Sequence, residues 1–482
     1  MTDSMPGLVA GLHVGDSHVS AWVADADGRM LAAQTQPLPV RRPAPGRVEF
    51  DPTDWWAGAR AALGTVVGRA PGGYLGLTVS AAREGFVLTD GRVELGQGVL
   101  RGDRRGAGWL AEIAAHRQLY AMTRHWPAPE LTLPKLLAVR AESPRLWAQA
   151  RQLLFVHDWL IWRLSGVAAT EVSYACAGQL AHVSQRTWAG SLLDDLGVPR
   201  RLLAPLVEAG DVVGGLRDPN LGLPLGLPVI AGCGDVQLAA AGAGAAHPGV
   251  VAVAAGGDTA LLAAAESAPL DPQQRPWVST HVPRGTWAVE TNCGSPARML
   301  GWLAAVVGVP VAEVFAMGQR ARPGAGGLTA AVGMPRWSEQ SRAAPASGSL
   351  LGVTQDTGAA DLAAAFVEGY AYSVRANLTD LEDVLGYPAR RLVLTGPDAG
   401  AGLARMLAEV TGRDVAVAET PTPGVLAGVA LVAAAVGVSS AAALPNQEVV
   451  VAGDPGPYEE PYARYLAAHD AVRSWAGEHA QV

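Results

Sequence analysis

The chain opens on a buried-strand pattern, Leu-Val-Ala-Gly-Leu-His-Val over residues 8–14, which turns at Gly15-Asp16 and returns through Val19–Ala24. The same unit restarts in the second half as Val250–Ala254, a Gly256-Gly257-Asp258-Thr259 turn and Ala260–Ala264. Short runs of β-branched and small apolar residues read as strands, and a glycine-containing turn between two of them reads as a hairpin. Two such units, each followed by further helix and strand patterns, predict a duplicated α/β domain whose hairpins face a shared cleft.

Length agrees with duplication. A chain of 482 residues exceeds what one core usually holds, and two domains of roughly 200–250 residues are expected. We place them at 1–240 and 241–482. Hydrophobic residues make up 49% and charged residues 17% of the chain, with 58 Gly and 5 Phe, so close helix–sheet packing is favoured over bulky aromatic cores. The 14 tryptophans read as packing residues, with Trp109 the one exception that could stack on a sugar.

Charge excludes some partners. A net charge of −8 with no basic stripe argues against nucleic acid and against anionic membranes. Cys176, Cys233 and Cys293 are odd in number and far apart, which argues against a disulfide framework and for a reducing, cytoplasmic setting. No secretory signal is visible at the N-terminus, and the Ala/Val-rich window Val425–Ala443 reads as a buried helix. Nothing in the sequence decides between a monomer and a homodimer.

Between the hairpins, Asp51-Pro-Thr-Asp54 is a cap for a helix from Trp55. Tyr74–Val79 is a strand that ends in the loop Ser80–Gly85, and residues 108–165 are mainly helical. Leu227–Ala231 is a strand running into Gly232-Cys-Gly-Asp235. Further on, Ala321–Gly352 reads as a long connection and Leu362–Leu385 as a long helix. The last roughly 30 residues read as peripheral.

The order of these pieces resembles the FGGY carbohydrate kinases, the group of xylulokinases and glycerol kinases, over residues 7–440. The likeness lies in a series: Gly11–Gly15, Asp51-Pro-x-Asp-Trp-Trp56, Ser80–Gly85, Asp103-Arg-Arg105 and Pro134-Lys-Leu136. His157-Asp158, Arg163-Leu-x-Gly166, Gly234-Asp235, Glu368-Gly369 and Leu394-Thr-Gly396 follow. The resemblance implies two actin-like (ribonuclease H-like) domains with ATP, Mg²⁺ and a sugar or polyol meeting in the cleft between them.

It also implies roles. A sugar hydroxyl is a weak acid, so its phosphorylation is helped by a carboxylate that accepts the proton; Asp235 matches that base, against the alternative that it only caps the following helix. Arg83, Glu84, Asp103 and Gln237 match acceptor-binding positions, and an Arg–Glu pair suits a polyol that offers donors and acceptors together. Arg101 replaces an aromatic residue there, which implies an acceptor larger or more polar than glycerol. On the nucleotide side, Gly15, Asp16, Ser17, Gly256, Gly257, Asp258, Thr259, Gly396 and Asp398 occupy the phosphate and adenosine loops, and His13 with Asp235 occupies the metal position.

Several of these positions depart from the family. His13 stands in place of an aspartate, Ser20 in place of a basic residue, and Asp16 and Asp258 in place of hydroxyl residues. Pro397-Asp398 interrupts a glycine-rich loop. Carboxylates near a triphosphate repel it, by about 4 kcal/mol for unit charges about 4 Å apart. Three expectations follow: a kinase with an altered metal arrangement, a sugar-binding relative without phosphoryl transfer, or a cleft for a cationic ligand such as an amino-sugar.

Overall fold

The computed structural model describes residues 7–334, 348–418, 422–439 and 447–479. Two sheets dominate it, and both are built on one pairing rule. In the first, Leu8–Val14 pairs antiparallel with His18–Asp25 and, on its other side, parallel with Tyr74–Ala81. In the second, Val250–Ala254 pairs antiparallel with Ala260–Ala265 and parallel with Arg391–Thr395. The two predicted hairpins therefore occupy equivalent places.

The first sheet runs Val212–Gly215, Pro228–Gly234, Tyr74–Ala81, Leu8–Val14, His18–Asp25, Met30–Pro37. The second runs Trp277–Thr280, Trp287–Asn292, Ala260–Ala265, Val250–Ala254, Arg391–Thr395, Asp414–Val417, Glu448–Val450. Helices cover both. Parallel strands end on the same side, so whatever follows their carboxyl ends is gathered at one edge, where open α/β sheets place ligands. Register makes this concrete: His13 lies beside Ser80, and Ala254 beside Thr395. The Arg83-Glu84 loop, Asp235 and the Gly396–Asp398 loop all follow such strand ends.

Local chemistry sets the element limits. Asp51 accepts a hydrogen bond from Thr53 N at 3.0 Å, so the helix begins at Pro52 and not at Trp55; proline is well suited to a first turn, where its missing N–H has no partner to lose. The predicted helical stretch 108–165 contains the strand Gln152–Phe155. Of the expected connection Ala321–Gly352, residues 335–347 lie outside the described residues, and Thr329–Ala331 pairs with Ser349–Leu351.

One expectation is corrected. The C-terminal region is not peripheral throughout: in the helix Glu459–His479, Tyr465 is fully buried and donates to the Val332 carbonyl at 2.9 Å. One helix of the second half also packs on the first sheet. Val425, Val429 and Val432, spaced at helical intervals on Thr422–Val436, pack against Val9, Trp22, Ala24 and Ile230 of the first sheet. Among the described residues, no single helix is long and apolar enough to cross a membrane.

The crossing is close. A Cβ at Gly242 would overlap the carbonyl oxygen of Pro423, at the start of that helix, and backbone cannot yield as a flexible side chain does. Gly242→Ala is expected to lower the unfolding free energy by about 1–3 kcal/mol, read as a fall in the thermal midpoint; an unchanged midpoint would show that the contact is loose.

Candidate active site

The acceptor loop leaves the strand Tyr74–Ala81 and is held in an unusual shape. Glu84 has φ 67°, a left-handed conformation rarely taken by a residue with a Cβ. Its carbonyl accepts from Lys135 Nζ at 2.8 Å and Thr132 Oγ1 at 3.0 Å. Lys135 Nζ also donates to the Leu100 carbonyl at 2.9 Å. One fully buried lysine thus fixes the backbone of Glu84 and of the turn that presents Arg101. Burial pushes this amine down to about 7, against the pull of Glu84, Asp103 and Glu130.

The side chains of the loop enter a chain of five alternating charges. Arg83 makes a two-pronged bond to Glu290, at 2.7 and 3.1 Å. Arg83 Nε lies 3.7 Å from Glu84, whose other oxygen lies 3.5 Å from Arg101 Nε. Arg101 Nη2 in turn lies 4.0 Å from Asp258. Arg83, Glu84 and Glu290 are buried. Burial works against the charge on Arg83, but Glu290 and Glu84 outweigh it and raise its pKa; burial likewise opposes charge on Glu290, and Arg83 outweighs it and lowers its pKa. Glu290 and Asp258 belong to the second sheet and its hairpin, and the three middle residues to the first lobe. The expected acceptor contact of Arg83 is therefore restricted, because both terminal nitrogens are engaged by Glu290.

Asp235 opens the helix Asp235–Ala240 at the end of the strand Pro228–Gly234. Its Oδ1 accepts from Val236 N at 2.9 Å, and it makes no ion pair among the described residues. It is half-buried and lies within electrostatic range of His13, Arg83 and Arg101. The corner behind it is braced. Tyr174 Oη accepts from Ala81 N and donates to the Cys233 carbonyl, each at 2.8 Å, and Gly234 N donates to Ser173 Oγ at 3.1 Å. Tyr174 so ties the ends of the two strands that present the acceptor loop and Asp235. Gln237 is fully buried and donates to Ser279 Oγ at 2.9 Å, while its Oε1 has no partner.

Two expected site residues are corrected. Asp103 is fully buried, and its oxygens accept from Val48 N and from the Arg105 backbone and guanidinium at 2.7–2.9 Å; it shapes the turn and is not offered to an acceptor. Thr259 is also fully buried, with its hydroxyl 2.7 Å from Tyr370 Oη, so it braces the second hairpin from behind and does not face phosphate.

The remaining nucleotide-side positions lie in turns, with Gly15 buried and the others partly or fully exposed. Gly15 N donates to the His18 carbonyl at 3.0 Å, closing the first hairpin, and Asp16 and Ser17 are exposed. Gly257 and Asp258 are exposed, Gly256 less so. Ser295 Oγ donates to Asp258 at 2.5 Å, and Arg298 Nε to the Gly257 carbonyl at 3.3 Å. Gly396 has φ 103°, and a Cβ there would overlap the Ala255 carbonyl; Asp398 N then bonds that same carbonyl at 3.2 Å. Asp398 is exposed. It is a turn residue joining the adenosine-side loop to the hairpin.

The donor set discriminates between metal roles. Mg²⁺ takes oxygen ligands and is usually held by one or two carboxylates plus substrate phosphates. Asp235 and Asp16 fit that requirement. His13 does not: it offers a ring nitrogen, a donor better suited to softer metals, and its Nδ1 is 3.1 Å from Ser80 Oγ, while burial lowers its pKa, with Asp235 partly offsetting. Among the described residues, no three His, Cys, Asp or Glu side chains group as a metal cage.

Sequence reasoning missed Glu290, Tyr174, Ser279 and Arg298, and took Arg101 only as a lost aromatic wall. One signal was present for Glu290: it is the single charged residue in the strand Trp287–Asn292, where a carboxylate needs a buried partner.

The brace can be tested by pH. Glu171 is buried and accepts from Ser173 N at 3.0 Å and from Ser173 Oγ. Burial pushes its carboxyl up to about 8 from an ordinary 4.5. The folded state therefore holds a proton that the unfolded state releases, and stability falls as pH rises from about 4.5 through 8. Glu171→Gln, neutral throughout, is expected to reduce that fall between pH 5 and 8 by on the order of 1–3 kcal/mol, measured by urea unfolding. Identical pH profiles would rule out a buried, titrating Glu171.

Comparison with known proteins identifies the architecture. Residues 8–242 match the N-terminal domain model, and residues 252–436 the C-terminal domain model, of the FGGY family of carbohydrate kinases. YoaC of Bacillus subtilis (strain 168) is 33% identical over 223 residues, which is 46% of this chain and 45% of that protein. A xylulose kinase of Klebsiella pneumoniae is 27% identical over 415 residues, 84% of this chain and 85% of the relative. The crystal structure of xylulose kinase from Rhodospirillum rubrum, 23% identical, superposes with a TM-score of 0.87 over 98% of this chain and 99% of its own. The fold is thus the two-lobed actin-like (ribonuclease H-like) one. A sugar binder without phosphoryl transfer gains no support from these relatives. The chain belongs to the FGGY family of carbohydrate kinases.

Proposed function

We propose that this protein transfers the γ-phosphoryl group of ATP to a hydroxyl of a sugar or polyol, with Asp235 as the general base. The observation that carries this reading is the position of Asp235: a half-buried carboxylate free of ion pairs among the described residues, at the end of the strand next to the one that presents the acceptor loop, and within electrostatic range of His13 in the first hairpin. In the reaction the acceptor oxygen bonds to the γ-phosphorus, the bond to the bridging oxygen of ADP breaks, and the hydroxyl proton passes to Asp235. Mg²⁺, when bound, neutralises phosphate charge.

The chain's own residues supply the rest. Lys135 and the Arg83–Glu290 pair hold the acceptor loop in one shape, which lowers the entropy of positioning the hydroxyl. Glu84 and the unpartnered Gln237 Oε1 are hydrogen-bond acceptors for acceptor hydroxyls. The Gly396–Asp398 loop and Arg298 border the nucleotide side. Closure of the lobes excludes water, which would otherwise take the phosphoryl group. Arg101 in place of an aromatic wall supports an acceptor more polar than glycerol.

A panel of sugars and polyols in a coupled ADP-release assay identifies the acceptor. Asp235→Asn is expected to reduce turnover by about 10²–10⁴-fold while leaving the thermal midpoint of the unliganded protein intact. Retained turnover in that variant would remove Asp235 from the chemistry.

A further inference from the structure

The charges at the nucleotide-facing hairpins are rearranged, not merely lost. Carboxylates stand at Asp16 and Asp258, and Ser20 occupies the place where the resemblance puts a cation. A cation has instead arrived from the acceptor side. Arg101 Nε is 3.5 Å from Glu84 Oε2 and Nη2 is 4.0 Å from Asp258 Oδ2. Both are ion-pair distances, and Arg101 makes no short side-chain hydrogen bond among the described residues. Its two partners differ. The Glu84 carboxylate is 5% exposed and fixed by its loop, while the Asp258 carboxylate is 45% exposed and has a second partner in Ser295 Oγ. Asp258 can therefore release Arg101 without being left bare.

We propose that Arg101 is a triphosphate-binding residue: anchored on Glu84, its guanidinium exchanges the exposed Asp258 carboxylate for phosphate oxygens of the bound nucleotide. The inference rests on the kinase reading above and adds an acceptor-side residue to the nucleotide site. The chemistry favours the exchange, because a planar guanidinium presents paired N–H donors that match phosphate oxygens, and a phosphate carries more charge than one carboxylate. Asp16 and Asp235 also lie within electrostatic range of Arg101, which places the cation where the two substrates meet. Because the same guanidinium is held by the acceptor loop through Glu84, occupancy of one substrate site is felt at the other.

The test is isothermal titration of Mg·ATP, inorganic tripolyphosphate and adenosine into wild-type protein, Arg101→Gln and Arg101→Lys, with thermal midpoints recorded for each. Arg101→Gln is expected to weaken binding of Mg·ATP and of tripolyphosphate by about tenfold or more. Adenosine affinity and the midpoint should hold, and Arg101→Lys should fall between. Equal affinity for Mg·ATP in Arg101→Gln and wild type overturns the proposal, and so does a matching loss of adenosine binding, which marks a structural effect. If Arg101→Gln does not fold, the same comparison is made with Arg101→Lys, where undiminished affinity for both phosphate ligands overturns it. Failure of the wild type to bind ATP strikes the kinase reading instead, and the tripolyphosphate titrations then decide Arg101 separately.

Discussion

The site depends on one run of charges, Glu290–Arg83–Glu84–Arg101–Asp258, that starts and ends in the second lobe and passes through the first. Its inner end is dry and tightly bonded, and there the loss of either partner strands a charge in a medium that cannot solvate it, at about 3–5 kcal/mol. Its outer end is longer, wetter and weaker. A gradient of this kind gives the cleft a fixed side and a yielding side. The acceptor loop sits on the fixed side, held again by Lys135 beneath its backbone.

This arrangement changes how the departures from the family motif are understood. Taken one at a time, Asp16, Asp258 and Asp398 look hostile to a triphosphate. In space they are not equivalent. Asp398 belongs to a turn whose amide bonds the Ala255 carbonyl, and Asp258 faces Arg101 and Ser295. A bare carboxylate repels a triphosphate in full, whereas one already paired, as Asp258 is with Arg101 and Ser295, repels it less.

Much of the fold was legible because it rests on short-range signals. The runs at 8–14 and 250–254, their glycine turns and the strand before Asp235 are local patterns, and the sheets contain all of them. What escaped is long-range. The hydroxyl of Tyr174 finds Ala81 and Cys233, and Arg83 finds Glu290 across 207 positions of sequence. Neither pairing leaves a trace in periodicity. Asp103 shows the opposite failure: its motif was recognised, but an arginine two residues on claims its carboxylate, and a matched motif does not reveal which way a side chain is turned.

The helix Thr422–Val436 has a consequence for how such a protein comes into being. It lays Val425, Val429 and Val432 over Val9, Trp22 and Ile230, residues that leave the ribosome long before it does. Until that helix is made, the earliest strands keep an uncovered greasy flank. The first lobe therefore completes its packing only once a segment far downstream in the chain has been made.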